Sequence, residues 1–225
     1  MDTSEFDYDL PQELIAKYPT LERTSSKLLF VSKGKTLQER TFMSLPDYLR
    51  ADDVLILNDT RVVKSRIFGR KESGGRVEFL CTEILTLKTA KGLIKANSRV
   101  KVGTRLIFSE TYSAVINGVA GDEFFLAFEY SVKDVLDDAA RIALPPYQKR
   151  DSETFDLERY QTVFSKNPGA IAAPTAGLHF DKPLLERIRA KGIRVGFLTL
   201  HVGIGTFKPV KTAVSYTHLT LPTKA

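Results

Sequence analysis

Between about Lys64 and Glu129 the chain breaks into six short β-prone runs separated by turn residues, and this spacing constrains the fold more than any other feature. The runs cover residues 66–69, 77–81, 93–96, 106–108, 114–117 and 124–128, with breaks at Gly74-Gly75, Lys91-Gly92, Val102-Gly103 and Gly121-Asp122. Short strands at such intervals cover their apolar faces by packing on one another, which predicts a small antiparallel barrel or sandwich.

The flanks have an α/β texture. Leu28-Leu29-Phe30-Val31 reads as a strand closed by a turn at Ser32-Lys33-Gly34-Lys35. Ser44-Leu45-Pro46-Asp47-Tyr48-Leu49 begins like a short helix, and Val54-Leu55-Ile56-Leu57 is an apolar run of the kind that forms a buried strand. Downstream, Val132, Val135, Leu136 and Ala139 give residues 132–142 a helical spacing that Leu144-Pro145-Pro146-Tyr147 stops. Residues 181–192 carry clear helix signals: Asp181 can cap, Pro183 sits in the first turn, Leu184, Leu185 and Ile188 share one face, and Gly192 ends it. Residues 193–200 then read as a buried strand. The expected architecture is an α/β (α+β) main domain, residues 1–63 and 143–210, interrupted by a β-domain at residues 64–142.

A chain of 225 residues with 43% hydrophobic content can bury one sizeable core or two modest ones. Its 33 Lys and Arg against 27 Asp and Glu, a net +6, favour a polyanionic partner such as RNA without demanding one. Cys81 is the sole cysteine, which excludes an intrachain disulfide, argues against a cysteine-based zinc site and fits a reducing compartment. The first 30 residues lack a basic stretch followed by an apolar run, and no apolar stretch nears the roughly 20 residues needed to cross a bilayer. A cytoplasmic monomer is expected.

Several segments can carry chemistry. Leu57-Asn58-Asp59-Thr60-Arg61-Val62 sets polar residues directly after an apolar run, where an α/β strand presents ligand groups. Asp59 could accept ribose hydroxyls or a proton and Arg61 could grip a carboxylate, or the two could pair within an Asx-type turn. Pro145-Pro146-Tyr147-Gln148-Lys149-Arg150 joins a rigid stretch to two cations suited to phosphate or carboxylate. Arg159-Tyr160-Gln161-Thr162-Val163-Phe164 adds a further cation beside a ring that could stack on a base or pack in a core.

The run from Gly169 to Phe207 is the most informative. Small residues through Thr175, Gly177 and His179 lead into the capped helix at Asp181, and the following strand delivers His201, Gly203, Gly205 and Thr206. Small residues permit close backbone approach, and a helix start offers free N–H groups. Histidine is the side chain most readily used for proton transfer near neutral pH, so His179 and His201 are read as two walls of one pocket. They lack the ligand spacing of a helix-borne metal motif, and Gly203-Ile204-Gly205 lacks both the phosphate-loop lysine and the full dinucleotide fingerprint.

Together these stretches resemble the S-adenosylmethionine:tRNA ribosyltransferase-isomerase family of the queuosine pathway. The resemblance rests on Phe6-Asp7-Tyr8-Asp9-Leu10-Pro11, the segment from Leu57 through Val62, Leu144-Pro145-Pro146-Tyr147, and Arg159-Tyr160-Gln161-Thr162-Val163. Its most specific parts are Ala172-Ala173-Pro174-Thr175-Ala176-Gly177-Leu178-His179-Phe180 and Thr199-Leu200-His201-Val202-Gly203-Ile204-Gly205-Thr206-Phe207. It implies an α/β domain interrupted by a small β-barrel. It also implies transfer and isomerisation of the ribosyl group of S-adenosylmethionine onto 7-aminomethyl-7-deazaguanine at the tRNA wobble position, giving epoxyqueuosine, adenine and methionine. S-adenosylmethionine is then a consumed co-substrate, with no metal or other cofactor required. On that basis His179, His201 and Asp59 are the catalytic candidates. Asn58, Thr60, Arg61, Tyr147, Lys149, Arg150, Tyr160, Gln161, Thr175, Gly177, Gly203, Gly205 and Thr206 are the substrate-binding candidates, with Arg61 or Lys149 on the methionine carboxylate.

After Val210 the family pattern continues through a further segment with additional His and acidic residues, whereas residues 211–225, including His218, read as a non-native tail; the main domain is therefore expected to be incomplete and the chain to precipitate, bind S-adenosylmethionine weakly or lack activity. Two other functions fit the composition. A non-catalytic RNA-binding module would show no dependence on S-adenosylmethionine. A methyltransferase would yield S-adenosylhomocysteine in place of adenine and methionine.

Overall fold

The structure is a computed structural model that describes residues 3–34 and 36–207. In chain order, the hairpin β1 (Lys27–Val31) and β2 (Leu37–Thr41) leads through a 3₁₀ helix (Phe42–Tyr48) to β3 (Val54–Asn58) and β4 (Thr60–Val62). Six strands follow: β5 (Arg66–Lys71), β6 (Arg76–Ile84), β7 (Thr89–Ala96), β8 (Arg105–Ile107), β9 (Ser113–Ala120) and β10 (Glu123–Phe128). Helices α1 (Val132–Ala139) and α2 (Asp156–Arg159) then precede β11 (Asn167–Ala170), α3 (Lys182–Ala190) and β12 (Arg194–Leu198). The expected turn at residues 32–35 joins β1 to β2, with Lys35 outside the described residues, as are residues 208–225 with the expected tail and His218.

Strands β5 to β10 close into an antiparallel barrel in the order β10-β7-β6-β5-β8-β9. Closure removes free strand edges, and inward side chains fill the lumen: Ile67, Phe79, Leu106, Ile116 and Leu126 are completely buried. Helix α1 adds Val132, Val135 and Leu136 to the same core, plugging one end. Its helix stops at Ala139, earlier than the spacing through Ile142 suggests, because Arg141 bridges back to Arg66. The turn expected at Lys91-Gly92 is instead mid-strand in β7, and the chain reverses before Thr89. Gly92 serves close packing there: a Cβ on it would lie 2.1 Å from the Leu80 carbonyl oxygen and 2.7 Å from the Phe79 ring.

The remaining elements form the α/β layer. β12 pairs parallel with β3, and β11 parallel with β4. Between Gly192 and the cap, α3 turns its apolar face inward: the Asp181 carboxylate accepts from the Leu184 N–H at 2.7 Å, and Leu184, Leu185 and Ile188 pack on Phe42, Leu57 and Phe180. The two apolar runs read as buried strands are covered on one side only. Leu57 is buried, but Val54, Ile56, Phe197, Leu198 and Leu200 remain exposed, because a two-stranded parallel sheet here has a layer on just one face.

Arginines tie the N-terminal segment down. Arg23 donates to the Leu178 and Glu158 carbonyls, and Arg159 to those of Leu21 and Thr20. Arg150 donates to the Lys17 carbonyl and lies over the Tyr18 ring, 4.5 Å from its centroid.

Candidate functional site

Three strand ends converge on one polar cluster. β3 ends in Asn58 and is followed by Asp59 and Thr60, β12 is followed by Thr199, Leu200 and His201, and β11 opens on Asn167, Pro168 and Gly169. Asn58 locks the strands in place: its amide donates to the Leu200 carbonyl at 2.8 Å and its oxygen accepts from the Leu200 and Thr60 N–H groups. Asn58 thus clamps the backbones that follow β3 and β12 together.

The Asp59 carboxylate accepts from the Thr199 hydroxyl at 2.6 Å and from the Asn167 amide at 3.2 Å on each oxygen. The Thr199 bond, followed by the Asn167 bonds and the nearby Lys166, outweighs desolvation and holds Asp59 below the usual carboxylate range. Asp59 is thus held as an anion with lone pairs free for hydroxyl donors.

His201 is held from two sides. Its Nδ1 hydrogen-bonds the hydroxyl of the completely buried Thr60 at 2.7 Å, and its ring lies against Gly169. A Cβ on Gly169 would fall 2.8 to 3.0 Å from three ring atoms, and the residue's φ of +149° belongs to a region that favours glycine. With the proton on Nδ1 donated to Thr60, Nε2 carries a free lone pair.

Gly169 also lines a cleft of about 660 Å³ between barrel and α/β layer. Arg61, Lys64, Gln161 and Pro168 form one wall, and Glu83, Lys133 and Asp137 the other. Lys133 pairs with Asp137, and Glu83 with Lys91. The Arg61 guanidinium has only a long 3.4 Å bond to the Ser165 hydroxyl among the described residues, which leaves its donors available to an anion in the cleft. Gln161 grips β4 from its flank, accepting from the Val62 N–H at 3.0 Å and donating to the Val62 carbonyl at 2.7 Å.

The other candidates lie elsewhere. His179 lies beside Phe42, 5.3 Å between ring centroids with the planes tilted at 43°, and burial followed by the positive Arg23 lowers its pKa. It lines neither this cleft nor the His201 cluster, so the two histidines are not walls of one pocket: the 3₁₀ helix at Thr175–His179 turns toward the Phe42–Phe180 core. Tyr147, Arg150, Tyr160 and Thr175 gather in a second, 180 Å³ cavity beneath Ala16, Tyr18 and Pro19. Arg150 there is engaged by the Asp156 carboxylate through two bonds of 2.7 and 2.8 Å. Burial pushes the Tyr160 phenol up to about 12. Gly177 is a packing residue, since a Cβ would meet Thr162 at 2.9 Å. Lys149 caps a 3₁₀ turn at φ 50°, outside both cavities. Gly203, Gly205 and Thr206 lie on the turn whose Ile204 and Phe207 dock on Leu80, Ala143 and Ile171.

Sequence reasoning missed Asn167, Thr199 and Gly169 as site residues. Each stood inside or next to a recognised segment, and the polar pair flanking Asp59 is visible only once β11 and β12 are aligned.

Comparison with known proteins gives one consistent result. A family profile described as a queuosine biosynthesis protein matches residues 3–221. S-adenosylmethionine:tRNA ribosyltransferase-isomerase of Xylella fastidiosa strain M23 is 45% identical over 219 residues, covering 96% of this chain and 63% of that protein. The protein of the same name from Ralstonia pickettii strain 12J is 46% identical over 211 residues, covering 92% of this chain and 59% of its own length. The chain therefore spans less than two thirds of the curated relatives it matches. A crystal structure of S-adenosylmethionine tRNA ribosyltransferase from Thermotoga maritima aligns at 28% identity over 88% of this chain and 58% of that one, with a TM-score of 0.36.

Proposed function

The chain belongs to the queuosine biosynthesis protein family, and from that premise we propose that it acts in the ribosyltransferase-isomerase reaction of its relatives. In this reaction the ribosyl group of S-adenosylmethionine is transferred and isomerised onto 7-aminomethyl-7-deazaguanine at the wobble position of tRNA. Epoxyqueuosine forms, and adenine and methionine leave. The observation that carries the assignment of roles is the Thr60–His201 bond seated on Gly169 at the margin of a cleft large enough for a small-molecule substrate.

The sulfonium acidifies the hydrogens on ribose C5′, so a base with a fixed, outward lone pair starts the reaction. His201 Nε2 fills that role in the tautomer whose Nδ1 proton is donated to the Thr60 hydroxyl. Asp59, kept anionic, accepts the ribose hydroxyls, and Arg61 takes the methionine carboxylate in the cleft. The aminomethyl nitrogen attacks as a neutral amine, and departing adenine takes up a proton. His179, neutral and packed, has no part in this scheme. S-adenosylmethionine is consumed, and the scheme requires no metal or further cofactor. Cytoplasmic location and a monomeric state complete the proposal; a single thiol, at Cys81, is compatible with a reducing compartment.

Incubating the chain with S-adenosylmethionine and tRNA bearing the aminomethyl base, with mass spectrometry of the products, tests the proposal. Adenine and methionine should appear only with that tRNA, and His201→Ala should slow their release by about 100-fold or more. S-adenosylhomocysteine as the product, or unchanged turnover in folded His201→Ala, would refute it.

A further inference from the structure

Between Glu83 and Glu110 the sequence carries Lys88, Lys91, Lys95, Arg99, Lys101 and Arg105 and no acidic residue. Two of these are neutralised within the barrel, Lys91 by Glu83 and Glu123, and Arg105 by Glu129. Lys95, Arg99 and Lys101 are exposed and carry no ion pair among the described residues. They follow one another at the C-terminal end of β7 and in the loop to β8, at the barrel end opposite the α1 plug.

That end is open. A groove of about 730 Å³ lies there, with Ile94, Ala96, Val100 and Phe124 as its floor and Arg99 and Lys101 on its rim. Val102 and Val119, also lining it, are 56% and 47% exposed. Arg70 and Arg76, at the neighbouring β5–β6 turn, add two exposed cations, against Glu72 and Asp122 at the same end. An apolar, partly aromatic floor inside a cationic rim is the combination that takes an unstacked base together with its phosphates. An aliphatic peptide would use the floor but not the rim.

We propose that the groove at this barrel mouth is an RNA-docking surface that holds the substrate RNA at a point remote from the cleft, with Arg99 and Lys101 on phosphates and Phe124 under an exposed base. The eight residues of β7 span roughly 26 Å, a length comparable to that of an RNA stem-loop. One RNA molecule therefore reaches both the cleft and the mouth. This inference rests on the reading that RNA is a substrate.

The test uses a fluorescein-labelled anticodon-arm RNA, its binding to the 225-residue chain followed by anisotropy across a salt series. The paired variant Arg99→Gln/Lys101→Gln should lower the slope of log affinity against log salt by about 1.4, from about 0.7 per phosphate contact. Phe124→Leu should weaken binding by about 10-fold with the slope unchanged. Lys27→Gln/Lys33→Gln on the distant β1–β2 hairpin controls for lost charge and should behave as wild type. If wild type binds with a salt-dependent affinity and the Arg99/Lys101 variant matches the control, the docking surface is wrong while the RNA reading stands. If wild type shows no salt-dependent RNA binding, the RNA reading fails and takes this surface with it. Equal competition by poly-glutamate would reassign the mouth to an acidic polypeptide.

Discussion

Gly169 bears both on the backbone and on His201, so Gly169→Ala isolates the geometry of the site in one methyl group. The native φ of +149° costs a non-glycine residue about 1–3 kcal/mol. The added Cβ would sit 2.8 to 3.0 Å from the His201 ring, which must swing away and release the 2.7 Å bond to Thr60. Because Thr60 is completely buried, its hydroxyl then lacks a partner, a further loss of about 1–3 kcal/mol. The sum is about 4 kcal/mol, equivalent to a fall in melting temperature of roughly 8–16 °C for a chain of this size. Urea unfolding followed by circular dichroism should show a lower midpoint with an unchanged m-value. In a His201→Ala background the ring is gone and Thr60 already lacks its partner, so the same change should cost only the backbone part. The difference between backgrounds, about 1–3 kcal/mol, measures the contact. Equal costs in the two backgrounds, or a cost below about 0.5 kcal/mol in wild type, would refute the seating of His201 on Gly169.

Arg150→Ala leaves the Asp156 carboxylate, 4% exposed, without its partner and should destabilise the chain by about 3–5 kcal/mol in urea titrations. Burial pushes Asp156 up, but Arg150 and the Glu153 N–H outweigh it and hold the carboxyl below its ordinary value. Its stabilisation is therefore complete above about pH 4 and is lost as pH falls through the lower folded-state pKa, a limb that Asp156→Asn should flatten. His179 has a lowered pKa from burial and Arg23, so the unfolded chain binds its proton first and stability should decline as pH drops below about 6.5. An NMR titration placing His179 at or above that value would contradict the buried, neutral assignment. Burial pushes the Cys81 thiol up to about 12, so iodoacetamide at about pH 8 should label the folded chain at least about 100-fold more slowly than the urea-unfolded one. Mass spectrometry of the modified peptide reads both rates.

The barrel was legible because turn residues and β-prone runs alternate on the scale of single strands. Gly92 misled that reading, since glycine marks a turn in sequence but here answers a carbonyl approaching across the sheet. The strands β3 and β12 were legible as strands, whereas their burial was not, because burial depends on how many layers cover a sheet. The segment around Asp59 and the His201 turn stood out as chemistry-bearing stretches. The cleft did not, since its walls come from residues near positions 61, 83, 133, 161 and 169, which only the fold assembles. His179 shared with His201 a Gly-rich context and a chemical type, but its ring direction was set by packing on Phe42.

The bridge between Arg66 and Arg141 has a bearing on modularity. The chain leaves the α/β layer and returns to it at hydrogen-bonded neighbours, with the Ser65 and Arg66 N–H groups both donating to the Arg141 carbonyl. The barrel is thus attached like a bead on a closed loop of thread: a short turn between Ser65 and Arg141 would reconnect the host without stretching it. Exchanging the insert would leave the backbone pairing of β3 with β12 and of β4 with β11 in place, while removing the cleft wall of Glu83, Lys133 and Asp137 and the Leu80 contact of Ile204 and Phe207. In such a build the Asp59, Asn167 and Thr199 cluster travels with the host, and whatever lies across the cleft travels with the bead.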